Sequence, residues 1–105
     1  MEYVVLKRAT MAERSALAIL RRTQVEAETG LAKSTLYLRV EQGLFTEPVL
    51  IGPRAVGWPA GEVEALNRAR IAGMSDDGIK KLVKTLEAAR RSHGAAASAA
   101  VQARA

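Results

Sequence analysis

The sequence predicts a mainly α-helical domain with one small antiparallel β-hairpin, followed by an extra amphipathic helix. Two short helical patterns are separated by a break at residues 29–32, and two β-prone runs are separated by a turn at residues 52–54. An apolar stripe with helical spacing follows residue 75. With 105 residues and 49% hydrophobic content, the chain can form one small domain. One tryptophan, two tyrosines and one phenylalanine make its core lean.

The first helix is predicted by the segment TQVEAETG at residues 23–30. Thr23 and Glu26 have the spacing of a capping box, and Gly30 fits the left-handed residue that ends a helix. Residues 1–17, which precede the first helix, are expected to form an N-terminal arm that includes the strand-prone run YVVL.

The second helix is predicted by KSTLYLRVEQG, which follows the break almost at once. Leu36 and Val40 have helical spacing, Gly43 is a second stop, and Leu31 in the turn is expected to be in the core. Two short helices around a tight turn form a helix-turn-helix, in which the break directs the second helix outward.

A β-hairpin is predicted after Phe45, which we place in the core. Val49 to Ile51 and Ala55 to Trp58 favour strands, and Gly52-Pro53-Arg54 between them favours a turn. Trp58 is expected to anchor this hairpin in the core.

The next helix carries Val63, Leu66 and either Ala69 or Arg70 on its buried face, and it ends near Gly73. The order helix, turn, helix, hairpin, helix is that of a winged helix-turn-helix domain. We place this domain at residues 18–73.

A basic amphipathic helix is predicted for residues 74–91, with Ser75 as its N-cap. Either its own domain or a neighbouring protomer must cover the apolar stripe, and we favour the neighbour slightly. The predicted protomer contacts are therefore Ile79, Leu82, Val83 and Leu86. Residues 92–105 are rich in alanine and are expected to be a mobile tail.

Composition favours a non-enzymatic protein with an anionic partner. Sixteen Lys and Arg against eleven Asp and Glu give a net charge of +5, which suits a polyanion. The absence of cysteine, of a membrane-length apolar run and of a leader favours a cytoplasmic protein without membrane contact. His93 is the one histidine, and no catalytic triad, metal cluster or phosphate loop is evident, so we expect no catalysis, cofactor or metal.

Four motifs, TGLAKSTLY, GLF, PVLIGPRAVGW and EVEAL, resemble the AlpA family of small prophage and mobile-element regulators. The resemblance covers roughly residues 18–73. It implies a MerR-like winged-helix fold related to excisionases, the directionality factors that turn a site-specific integrase from insertion to excision.

The chain departs from this family pattern at three places. Ala32 stands where the family usually has a serine or threonine that caps the second helix, at a cost of about 1 kcal/mol. Leu38-Arg39 reverses the usual Arg-Leu order, which leaves open which side chain reaches DNA and which packs inward. Leu66 replaces a common tryptophan.

The N-terminal end of the second helix is the predicted DNA-recognition element. Lys33, Ser34 and Thr35 offer an ammonium group and two hydroxyls that can contact phosphates or base edges in the major groove. The alternative is an ordinary helical hairpin in which these residues are only solvated. The order of the elements that follow favours recognition.

Four further residues are predicted DNA contacts. Tyr37 can use its ring in the core or its hydroxyl on a phosphate, and Leu38 and Arg39 are both candidates because of their reversed order. Arg54 lies at the hairpin tip, where a guanidinium can reach phosphates or a narrow minor groove.

The resemblance implies an excisionase-like protein that binds and bends double-stranded attachment-site DNA. Its partners would be a site-specific integrase and further copies of itself along the DNA, in the bacterial nucleoid. One alternative is an AlpA-like transcriptional regulator of integrase or excision genes. A different class also stays open, a protein-interaction adaptor that does not bind DNA.

Overall fold

Helices and short strands alternate along residues 15–104, the part of the chain described by this computed structural model, with side chains described for residues 15–102. In chain order these are β1 (Ile19–Leu20), α1 (Arg22–Thr29), α2 (Lys33–Glu41), β2 (Val49–Gly52), β3 (Ala55–Pro59), α3 (Ala60–Ile71) and α4 (Asp76–Arg104). The predicted winged helix-turn-helix with an additional C-terminal helix is confirmed. The YVVL run of the predicted arm lies outside the described residues.

The wing is a three-stranded antiparallel sheet in the order β1-β3-β2. The predicted hairpin of β2 and β3 is confirmed, with Leu50 opposite Val56, and an irregularity at Ile51 shifts the register before the turn. Strand β1 was not predicted. Its Leu20 pairs with Trp58 on the other side of β3.

Gly57 allows β1 to approach β3. A Cβ atom at this position would overlap Cγ2 of Ile19 and lie 2.9 Å from the carbonyl oxygen of Leu20. Only glycine leaves room for the two backbones at this crossing. This contact fixes the chain that leads into α1.

The N-cap of the first helix lies two residues earlier than the predicted Thr23. Arg21 is at the N-cap position, and its backbone N–H donates to Oε1 of Gln24 at 2.8 Å. Thr23 therefore lies inside the first turn, and the predicted capping box of Thr23 and Glu26 is wrong. Glu26 instead forms an ion pair with Arg22, one helical turn before it.

The break between α1 and α2 has the predicted glycine. Gly30 has φ of 74°, in the left-handed region, and its N–H donates to the carbonyl oxygen of Glu26 at 2.8 Å. Gly43, with φ of 77°, follows α2 in the same conformation. Ala32 occupies the N-cap position of α2 without a side-chain hydrogen bond, so the expected lack of a cap is confirmed.

Trp58 is the centre of the hydrophobic core and is fully buried. Its indole N–H donates to the carbonyl oxygen of Thr46 at 2.8 Å. The ring centroids of Phe45 and Tyr37 lie 6.3 and 6.2 Å from that of Trp58. The core joins the four described helices to the wing through Leu20, Val25, Leu36, Phe45, Trp58, Ala60, Val63, Leu66, Ala69, Ile79 and Val83.

The stripe of α4 is covered by the protein's own domain. Ile79 and Val83 are buried in the core, and Leu82 and Leu86 pack against it from a half-buried position. This corrects the preference for a neighbouring protomer at these four residues. Docking within one chain avoids the loss of translational freedom that a second protomer would impose, and it enlarges a lean core.

Helix α4 continues through the alanine-rich segment without a break at Ser92. Ser75 caps its start, because its Oγ accepts a hydrogen bond from the N–H of Gly78 at 3.2 Å. Alanine has the highest helix propensity, which explains why helical structure reaches Arg104 although residues 91–102 are exposed.

A buried ion pair anchors α4 to the rest of the domain. Arg90 donates from Nε and Nη2 to the two carboxylate oxygens of Glu62, both at 2.7 Å, and Glu62 is only 7% exposed. Nη2 also donates to the carbonyl oxygen of Glu47 at 2.6 Å, while Glu87 accepts from the N–H of Glu47. The hydrogen-bonded Glu62 carboxylate raises the pKa of Arg90.

Candidate nucleic-acid interface

The second helix, α2, has one buried face and one outward face. Leu36 is fully buried and Val40 is half-buried against the core. A residue two positions along a helix is rotated by about 200°, so Ser34 and Leu38 lie opposite Leu36. Both are exposed, as is Glu41 one turn further on.

A groove of about 440 Å³ separates one flank of α2 from the wing. Tyr37 lines it from α2, and Arg54 and Val56 line it from the wing. The first turn of α1 and the residue before it complete the groove with Arg21, Arg22 and Thr23. The structure therefore brings together Tyr37 and Arg54, which the sequence predicted as DNA contacts, with two arginines that it did not.

The groove carries positive charge without a balancing carboxylate in its lining. Arg22 is paired with Glu26, whereas the guanidinium groups of Arg21 and Arg54 have no ion-pair partner among residues 15–102. Unpaired guanidinium groups on a concave surface suit the phosphates of a nucleic-acid backbone.

The opposite flank of α2 faces α3. A depression of about 310 Å³ is lined there by Arg39, Arg70 and Leu38, together with Thr35, Gln42, Leu44 and Asp76. Arg39 also borders an apolar cavity of about 230 Å³ beside Phe45 and Leu66. Arg39 is thus separated from the wing by the width of α2. The reversed order places Leu38 outward and Arg39 half-buried at the edge.

The N-terminal end of α2 presents the three predicted recognition residues. Lys33 and Ser34 are exposed, and Thr35 is half-buried on the flank that faces α3. Because Ala32 has no side-chain oxygen, the first N–H groups of the helix receive no side-chain cap. The end of this helix can therefore donate hydrogen bonds to an anion beside Lys33.

Sequence reasoning missed Arg21 and Arg22 because their position depends on tertiary structure. Strand β1 pairs with β3 and thereby brings the start of α1 beside the wing. The only local signal was the pair of adjacent arginines just before the first helix.

No group of three or more His, Cys, Asp or Glu among the described residues could hold a metal ion. None of the helices described is both long and apolar enough to cross a membrane. His93 lies on the exposed C-terminal part of α4.

Fold and surface together define a winged helix-turn-helix protein with a basic groove between its second helix and its wing. Residues 18–71, just over half of the chain, match the family described as prophage CP4-57 regulatory protein (AlpA). The chain therefore belongs to the AlpA family of prophage regulatory proteins. Comparisons with curated proteins and with solved structures found no match.

Proposed function

We propose that the protein binds double-stranded DNA, with α2 in the major groove and the wing on the adjacent backbone. The groove between α2 and the wing supports this most directly, because three arginines line it and no carboxylate does. The width of a B-DNA major groove admits one α-helix, and the exposed outward face of α2 is free to enter it.

Phosphate contacts would hold this orientation. Arg54 at the wing tip and Arg21 before α1 line the same groove as Tyr37, so they can contact the strand that borders the inserted helix. Lys33 and the uncapped N–H groups of α2 can contact a second phosphate.

The biological role that we propose is that of an excisionase-like directionality factor. By binding and bending attachment-site DNA, the protein would bring integrase-bound segments together and favour excision. Chemistry would reside in the integrase. Any assembly of several copies along the DNA would use a surface other than the α4 stripe, because that stripe is covered.

Binding itself is tested by titrating attachment-site duplex with the protein at several salt concentrations. Affinity should fall linearly on a log-log scale as salt increases, because each phosphate contact releases counterions. An absence of salt-dependent duplex binding would instead favour the protein-interaction adaptor.

A second candidate role is supported by the family description, which names a regulatory protein. Transcriptional control of integrase or excision genes needs the same DNA-binding surface. A reconstituted excision reaction with integrase separates the two roles. Increased excision supports the directionality factor, whereas unchanged excision together with activation of an integrase or excision promoter supports the transcriptional regulator.

A further inference from the structure

We propose that Leu38 reads sequence by packing against the C5 methyl group of a thymine in the major groove. This inference rests on the proposed DNA binding and adds the chemical group that the second helix recognises. It assigns sequence specificity to an apolar side chain, while the basic residues around it contact the phosphates of the DNA backbone.

The position of Leu38 carries the proposal. Leu36 is fully buried, so Leu38, about 200° around the helix, is at the centre of the outward face of α2 and is 50% exposed. Ser34 lies one turn before it and Glu41 one turn after it, and both are exposed. If α2 enters the groove, Leu38 is the apolar group nearest to the base edges.

Exposure alone would not single out this leucine. Leu50 on β2 is 78% exposed, and scattered surface leucines are ordinary. The difference lies in the surroundings of Leu38. Its exposed neighbours within the helix on the outward face, Ser34 and Glu41, are not Arg, Lys, Asn or Gln, and Gln42, one turn after Leu38, lies beyond the last helical residue. Those residue types make the bidentate contacts that identify guanine or adenine.

Arg39, the basic residue next to Leu38, is not placed to contact the bases in its stead. Arg39 is half-buried and lines the depression and the apolar cavity on the α3 side. Gln42 follows the last helical residue, whereas recognition helices read bases with their N-terminal part. The outward face therefore offers an apolar contact flanked by a hydroxyl and a carboxylate, and thymine is the base with an apolar group in the major groove.

Replacement of thymine by deoxyuridine removes this methyl group and leaves base pairing unchanged. Burial of one methyl group corresponds to about a fourfold change in Kd. A preferred duplex is first selected with the wild-type protein from random sequences, and each thymine is then replaced singly. Kd is measured for the wild type, for Leu38→Ala and for the control Leu50→Ala, after circular dichroism has shown that both variants are folded.

At one thymine or more, deoxyuridine should weaken wild-type and Leu50→Ala binding about fourfold, while Leu38→Ala should bind both duplexes equally. The inference would be overturned if deoxyuridine had the same effect on wild type and Leu38→Ala at every position, or no effect on wild-type binding at any position. Either result would leave DNA binding intact. Failure to select any duplex would overturn the proposed function itself.

Discussion

Thr46 shows how the core is centred on one tryptophan. It is fully buried, and its carbonyl oxygen accepts the indole hydrogen of Trp58, yet its hydroxyl has no hydrogen-bond partner among the described residues. A buried hydroxyl without a partner costs about 1–3 kcal/mol. The β-branched side chain of Thr46 therefore fills space in the core, while its hydroxyl group lowers stability.

Thr46→Val should therefore raise the free energy of unfolding by about 1 kcal/mol, because valine has the same branched shape without the unsatisfied hydroxyl. Urea unfolding measures the change, and the backbone hydrogen bond to Trp58 is unaffected. Lower stability of the variant would mean that the hydroxyl has a partner.

Gly57→Ala should lower the free energy of unfolding by about 2 kcal/mol, since the added methyl group overlaps Ile19 and approaches the Leu20 backbone. Gly52→Ala is the matched control, because its Cβ would be 3.5 Å from that of Ala55, an ordinary contact. Equal effects of the two substitutions would show that β1 does not lie against β3 in solution.

At the scale of elements, α4 packs on the domain from its start to Arg90, which forms the ion pair with Glu62. Arg90→Ala should lower the free energy of unfolding by about 2 kcal/mol, because it leaves Glu62 buried without its cation. Breaking a fully buried pair would cost more, but the Arg90 side chain is 24% exposed. Arg91→Ala, one residue further along on the exposed surface, is the control. Thermal unfolding of both variants shows whether the loss is specific to Arg90.

Truncation tests where the folded domain ends. A chain that ends at Arg91 retains the buried Ile79 and Val83 and should unfold with a similar midpoint, because residues 92–102 bury no side chain. A chain that ends at Gly73 loses both core residues and the Arg90 anchor and should be largely unfolded. A stable, cooperatively folded 1–73 fragment would contradict the packing of α4 on the core.

The elements that the sequence predicted are those with local signals. Gly30 and Gly43 mark the ends of the two helices of the helix-turn-helix, the Gly52-Pro53-Arg54 turn marks the tip of the hairpin, and Ser75 marks the start of α4. Strand β1 has only two residues and exists through its pairing with β3, so no local pattern could indicate it. The stripe of α4 predicted burial but could not predict which surface covers it.

At the scale of the whole molecule, the proposed interface combines segments that are distant in the sequence. The predictions at Lys33, Ser34, Tyr37 and Arg54 came from the order of elements, and the structure places the last two on one groove. Arg21 and Arg22 join that groove only through tertiary packing. Leu38 and Arg39 could be distinguished only once the buried face of α2 was known.

The salt dependence of DNA binding by a double variant, Arg21→Ala with Arg54→Ala, tests the central claim most directly. Each lost phosphate contact lowers the slope of log K against log salt by about 0.9, so the double variant should lose about 1.8. Lys81→Ala with Arg91→Ala removes the same charge from the exposed surface of α4 and should leave the slope unchanged. An unchanged slope in the groove variant, or an equal loss in both variants, would contradict DNA binding through the groove between α2 and the wing.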